Sequence, residues 1–453
     1  MSTTVVRAAS TATLRPAPFA RGYRFELLKL VSQWRVRLLV CVCWLAPGAF
    51  VGVVSRQSAL PADTVFGRLM HSTGWAGALV VLAFACLWAL PLLTALVAGD
   101  VFAVEDRLGT WRHLLVAVRS KRRIFASKAL ASATVIGLLV LGLAVSGLVG
   151  GLVSAGDRPL AGLDGYPLQG TALAGRFVLA WLCVLAPTAA FAAVGLLGSV
   201  ALGRSPMGLV TPAVLAVLFA VVQLLPLPLA VRLALPSQTF TAWRGLFVEH
   251  VQVAPLVVGV VVALAWAGVA TLVAYRLFLR RDFTDLADDG SGARLVLAGL
   301  LPLALLGIVS VLVLGLTTTG TGSGVDAGRL EGSLATSYAH LYRLQAAELG
   351  RPAVTEEQLQ TSAACDKGGS LVEDEGSGND WRCVVTWHLP GARAVGSAVY
   401  QLDVAADGRY VADGDGPQEV NGFFLLQAAY GSAPNPLWQF DGLVDLLAPT
   451  RKD

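Results

Sequence analysis

The residues best suited to chemistry lie between Asp100 and Lys128, DVFAVEDRLGTWRHLLVAVRSKRRIFASK. Acids come early (Asp100, Glu105, Asp106), Gly109-Thr110 sits in the middle, and Ser120-Lys121-Arg122 opens a basic cluster ending at Lys128. Both flanks are long apolar runs. Val101, Val104, Leu108, Trp111, Leu115 and Val118 recur at spacings of three and four, which is one apolar stripe on a helix. Gly109 breaks that helix and Thr110 caps a second one starting at Trp111. The stretch reads as two short helices, one extending the preceding apolar run and one lying across a surface. A solvated loop with snorkelling basic side chains is the other reading.

Catalytic and ligand-binding patterns are missing elsewhere. There is no GxxxxGK[ST], so no P-loop ATPase, and no HExxH or GxSxG. His71, His113, His250, His340 and His388 are scattered, without metal-ligand spacing. TTTGTGSG at Thr317 to Gly324 lacks a complete GxGxxG and reads as a flexible linker. DGDG at Asp413 to Gly416 lacks the downstream bidentate acid of a calcium loop and reads as a turn. No catalytic residue, metal ligand or cofactor site is therefore expected, and the chain is not expected to be an enzyme.

The elements that must position the charged stretch are set by composition. Of 453 residues, 55% are hydrophobic and only 14% charged, against about 25% charged in an ordinary soluble domain. Mean hydropathy is +0.66. A bilayer core needs roughly 20 apolar residues per helix. Seven runs approach that: Leu38–Val54, Trp75–Ala98, Ala129–Val153, Phe177–Leu202, Met207–Leu225, Ala254–Leu277 and Leu295–Leu316. The third is rich in glycine, which lets helices approach closely. Before the first run, Tyr23 to Arg37 reads either as an amphipathic helix in the headgroup region or as part of a basic leader. Between the fifth and sixth, Leu224 to His250 carries Pro226, Pro228 and Pro236 yet stays apolar. It reads as short, partly buried helices, with a simple loop as the alternative.

Lys and Arg bias orients such a chain. The leader, the 100–128 stretch, Arg204 and the break with Arg276, Arg280, Arg281 and Arg294 are the richer set, so they are assigned to the cytoplasm. Seven spans then place everything after Leu316 outside. Cys365 and Cys383 fall in that tail, whereas Cys41, Cys43, Cys86 and Cys183 lie in apolar runs. Disulfides persist in oxidising compartments, so a Cys365–Cys383 bridge is expected, worth on the order of 3 kcal/mol. The tail itself reads as a small α+β domain. It has a helix over Leu330–Leu349, strands over Trp381–Trp387 and Ala398–Val404, and a hairpin turn at Asp407-Gly408. The fold class is thus a polytopic α-helical membrane protein with a small extracytoplasmic α+β domain. Its parts are a leader (1–37), a six-span core (38–281), a linker with a seventh span (282–316) and the outer domain (317–453). The net charge of +4 clusters beside apolar runs, so lipid is the expected partner and nucleic acid is not.

The charged stretch resembles the signature loop of type-2, exporter-class ABC transporter permeases. The likeness rests on Glu105 followed by Gly109-Thr110, then Leu114-Leu115, Ser120-Lys121-Arg122, and Lys128 opening the next span. In that family the loop between spans two and three forms a coupling helix that docks on an ATP-binding subunit. The resemblance implies that Glu105, Gly109, Thr110, Trp111, Leu114, Leu115, Ser120, Lys121, Arg122 and Lys128 serve that coupling. It also implies an ATPase partner carrying ATP and Mg, a second permease copy as homo- or heterodimer, and a bacterial plasma membrane location. The family core has six spans and a cytoplasmic C-terminus, so the seventh span and the tail stand outside the likeness. A membrane-anchored sensing or ligand-binding protein, acting through the tail, is the alternative.

Overall fold

The computed structural model describes residues 18–57, 60–61, 63–203, 207–281, 283, 292–317, 322–369, 373–391, 393–417, 422–428 and 431–448. The first 17 residues, Arg204, most of the break after Arg281 and linker residues 318–321 lie outside the described residues. Among the described residues six helices are long and apolar enough to cross a membrane: Trp34–Val54, Gly74–Leu108, Lys121–Ala155, Gly170–Ala201, Val253–Arg280 and Leu297–Thr317. The run expected as the fifth span is a shorter apolar helix, Gly208–Leu224.

In chain order, α1 (Phe19–Ser32) lies before α2 (Trp34–Val54), and Gln33 between them is extended. α1 buries Glu26 and Leu30 while leaving Phe25 and Leu28 exposed. Next come α3 (Gly74–Phe84), a π-helical turn at Ala85–Ala89 and α4 (Leu90–Ala98). The π turn precedes Pro91, which lacks the N–H needed to continue an α-helical ladder. α5 (Ala103–Leu108) and α6 (Trp111–Val118) follow, then α7 (Lys121–Ala155). α7 is 35 residues long, about 52 Å at 1.5 Å per residue, and packs against α1, α2 and α3. Its glycines permit this. A Cβ on Gly150 would stand 2.4 Å from Gly48 Cα, and one on Gly151 would stand 2.1 Å from the Gly74 carbonyl oxygen. That matches the expectation for small residues at helix crossings.

Beyond α7, a short hairpin, β1 (Leu160–Ala161) and β2 (Pro167–Leu168), leads into α8 (Gly170–Cys183) and α9 (Leu185–Ala201). α10 (Met207–Leu224) is followed by α11 (Leu229–Leu233), a 3-10 turn, α12 (Thr239–Ala242) and another 3-10 turn. Trp243 and Phe247 in this region are fully buried. The proline-rich stretch is therefore a set of short buried helices, not a simple loop. α13 (Val253–Arg280) packs closely on α9. α14 (Gly292–Thr317) leaves Leu301, Leu305, Ile308, Leu312 and Leu316 exposed. Such a continuous apolar exterior is stable only against hydrocarbon or protein.

The tail forms α15 (Ala327–Glu348), α16 (Glu356–Leu359) and strands β3 (Ser362–Lys367), β4 (Gly378–His388), β5 (Val395–Val404), β6 (Arg409–Gly414), β7 (Leu425–Ala428), β8 (Gly431–Pro434) and β9 (Gln439–Leu443). Five of these make one antiparallel sheet, ordered β3-β4-β5-β6-β9, covered by α15. β4 buries Trp381, Cys383 and Val385 and exposes the residues between them, the period-two pattern of a half-buried strand. Cys365 and Cys383 are directly opposite in register and form the disulfide. The Asp407-Gly408 turn joins β5 to β6 as expected, with Gly408 at φ +85°. Asp413 and Gly414 differ from expectation. They complete β6, held by pairing with Gln401 and Tyr400, so this end of the DGDG run is strand and not turn. β3 and α16 were not evident from periodicity, because both are short and polar. Leu229 and Leu233 of α11 join the buried cluster of the sheet domain, so that domain and the helical bundle share a core.

Candidate functional site

Adjacent positions on a helix point about 100° apart, and α5 uses this to send Glu105 and Asp106 to different partners. Glu105 is fully buried. Lys128 on α7 donates from Nζ to Glu105 Oε1 at 2.7 Å, to Glu26 Oε2 at 2.9 Å and to the Val101 carbonyl at 3.3 Å. Lys29 on α1 also donates to Glu105 Oε1, and the Thr110 hydroxyl donates to Oε2. Two lysines thus face two carboxylates with no net charge. This balance is what lets ionised groups tolerate burial.

Asp106 accepts two parallel bonds from Arg281, at 2.7 and 2.8 Å, and one from Trp111 Nε1 at 2.7 Å. The planar guanidinium matches the carboxylate, which fixes direction as well as charge. Asp100 accepts from Arg107 at 2.6 Å and from Arg35 at 3.4 Å. Lys121 donates to the Arg281 carbonyl at 2.7 Å. Between these ion pairs sits an aromatic cluster. Trp111 has ring centroids of Phe283 at 5.0 Å, Phe278 at 5.5 Å and Phe102 at 6.3 Å, and Phe125 stacks on Phe102 at 5.4 Å.

These contacts fasten the first turn of α6 to α5, α7 and α13, and through Glu105 to α1. The rest of α6 is less enclosed. Leu114, Leu115 and Val118 are half-buried against the core, whereas Arg112, His113, Val116 and Ala117 are exposed. Gly109 is exposed in the left-handed region, φ +66°, with open space where a Cβ would stand. Ser120 caps α7, its Oγ accepting from Arg123 N at 3.4 Å. Arg122 is exposed. Of the expected residues, then, Glu105, Thr110, Trp111, Lys121 and Lys128 come together. Gly109 and Ser120 shape the turns on either side of α6, and Leu114 and Leu115 lie on its half-buried side.

Two expectations need correction. Thr110 occupies the N-cap position of α6 but makes no side-chain cap bond, because its hydroxyl is engaged by Glu105. Leu108, the last residue of α5, does not continue the buried stripe; it is 64% exposed. The partners Glu26, Lys29 and Arg281 had no assigned role in the charged site. The only local signal was Glu26 and Lys29 three residues apart on an amphipathic segment, which reads equally well as a solvated face.

At the other end of the bundle, the sheet domain docks through polar groups. Arg232, buried, donates to the carbonyls of Ala406 and Ser323. Arg244 pairs with Asp407, and Arg409 donates to the Asp63 carbonyl at 2.9 Å. A cavity of about 340 Å³ opens there, lined by Cys86, Phe191, Phe240, Arg244, Asp407 and Arg409 among others. Its mixed lining, apolar from the helices and charged at the docked domain, is of a kind that accepts an amphipathic small molecule.

No protein-family model and no curated protein matches the chain. Among the described residues, the fold is that of a helical protein with six membrane-length apolar helices and a mostly β C-terminal domain that holds an internal disulfide.

Proposed function

We propose that this chain is the permease subunit of an ATP-driven ABC transporter of the exporter class, with α6 as its coupling helix. The observation that carries the reading is the asymmetry of α6. One end is tied through Trp111, Glu105 and Asp106 to four helices, while Arg112, His113 and Val116 face outward. A displacement imposed on that face is transmitted to the helices as a body. The expected actuator is a separate ATP-binding subunit, which binds ATP and Mg, acting on a pair of permease copies in a bacterial plasma membrane. The basic residues of the leader and of the 100–128 stretch support a cytoplasmic N-terminus and coupling helix. The disulfide supports an extracytoplasmic tail. In keeping with this, residues 157–166, which meet the sheet domain, follow the far end of the 35-residue α7 from Lys121.

The geometry selects the test. Leu114 and Leu115 are half-buried, so acidic substitution there perturbs packing as well as docking. Val116 is 73% exposed. Val116→Asp is expected to abolish copurification with an ATP-binding-cassette subunit and ATP-driven transport, with insertion and thermal stability unchanged. Retention of both complex and transport would refute the assignment of α6.

The cavity beneath the sheet domain favours a second reading, a membrane-anchored ligand sensor. In that case Asp407→Ala alters ligand response while no ATP-binding subunit copurifies with the wild-type chain.

A further inference from the structure

His340 is out of place for a solvent-facing histidine. It lies on α15 with a side chain only 1% exposed. Its Nδ1 is 2.8 Å from the carbonyl oxygen of Asp164, in the β1–β2 loop. A carbonyl oxygen only accepts, so the ring hydrogen sits on Nδ1, and the lone pair of the neutral ring is on Nε2. That nitrogen lies 3.4 Å from Glu249 Oε2 and 3.3 Å from Glu356 Oε1, yet makes no hydrogen bond. A buried ring nitrogen facing two carboxylates calls for positive charge at that point, which either a proton on Nε2 or a cation held among the three groups supplies.

We propose that Glu249, His340 and Glu356 form a divalent transition-metal site of the zinc type, which pins the sheet domain to the helical bundle. The three ligand atoms lie within 4.8 Å of one another. Zinc bonds to imidazole nitrogen and carboxylate oxygen are about 2.0–2.2 Å, and a tetrahedron with such bonds has edges of roughly 3.3–3.5 Å. Both histidine–glutamate separations are of that size. The outer shell is also in place. The Nδ1–H bond to a backbone carbonyl fixes the ring and its tautomer, the common arrangement for a ligating histidine. Asp164 Oδ2 accepts from the Glu249 amide at 2.6 Å and holds that residue near the ring. Arg343 donates to Glu356 Oε1 at 2.5 Å, the same oxygen that faces His340, so an ion bound there shares that oxygen with the guanidinium or displaces it. Glu249 and Glu356 side chains are 30% and 35% exposed, so an ion can enter from solvent and a fourth position is open to water. One imidazole with two carboxylates suits Zn²⁺ better than Ca²⁺, which prefers six or more oxygen ligands. The site bridges two bodies, since Glu249 precedes α13 whereas His340 and Glu356 belong to the sheet domain. It does not depend on what the chain transports or senses.

The full-length protein, purified in detergent and stripped with chelator, is titrated with Zn²⁺ alone. One equivalent is expected to bind and to raise the unfolding temperature of the tail. Glu249→Gln and Glu356→Gln, both at partly exposed positions, should each weaken binding at least ~10-fold while leaving metal-free unfolding in place. Co²⁺ should give a tetrahedral visible spectrum without thiolate charge transfer, which excludes the membrane cysteines as ligands. Zn²⁺ binding that is undiminished in both variants overturns the proposal. So does ring ¹⁵N NMR showing both His340 nitrogens protonated at saturating Zn²⁺, which would make the cluster an imidazolium ion pair.

Discussion

Lys128 has a side chain only 1% exposed and donates to carboxylates from two other helices. Removing one partner from such a cluster leaves an uncompensated buried charge, at a cost of about 3–5 kcal/mol. Lys128→Met is therefore expected to destabilise the protein by that order in detergent or nanodisc unfolding. Adding Glu26→Gln restores neutrality and should recover part of the loss, giving a favourable coupling in a double-mutant cycle. Simple additivity of the two losses would show that the residues do not act as a unit. Glu105 and Lys128 were marked in the sequence only by the resemblance to the permease loop, and the helical pattern alone put Glu105 on the polar surface, whereas it is fully buried. Their company was not marked at all, because Glu26 is 102 residues and Lys29 76 residues from the groups they bind.

At the scale of elements, the turn between α5 and α6 decides where the exposed face of α6 points. Gly109 sits at φ +66° with nothing within 4 Å of its would-be Cβ, so any penalty on substitution is one of backbone conformation alone. The left-handed region costs a β-carbon about 1–2 kcal/mol. Gly109→Val should reach or exceed the upper figure, and Gly109→Asn should cost much less, since asparagine tolerates that region. Thermal unfolding of the two variants measures the difference, and equal effects would argue for a steric rather than conformational role. Gly109 could be read from the sequence as a break between helices. The fate of Thr110 could not, because whether a hydroxyl caps its own helix or serves a neighbouring carboxylate depends on what lies opposite. The period-two strands of the tail were similarly legible at β4 and β5. β3, half-exposed and polar, acquires its place only from pairing with β4.

For the whole molecule, the question is what joins the bundle to the sheet domain. Arg232 is 2% exposed and donates to two carbonyls of that domain. Hydrogen bonds to a charged group are worth about 1.5–3 kcal/mol each. Arg232→Met should therefore loosen docking without unfolding either part. The expected result is faster hydrogen exchange and proteolysis around residues 322–326 and 405–408, with the disulfide and the helical content intact. Unchanged protection in those segments would assign the docking to the shared apolar cluster around Leu229 and Leu233. By itself the sequence determined the apolar runs, their approximate ends, the charged interruption at 100–128, the cysteine pair and the half-buried strands. Each of these rests on local composition or on the periods of helix and strand, which a linear chain displays. Only the tertiary structure decided that Lys128 meets Glu26, that Asp106 meets Arg281, and that His340 points between Glu249 and Glu356. Those groups lie 91 or more residues apart except for His340 and Glu356, and charge is what closes each set. A buried charge must find its opposite wherever packing brings one within reach, and spacing along the chain carries no record of that.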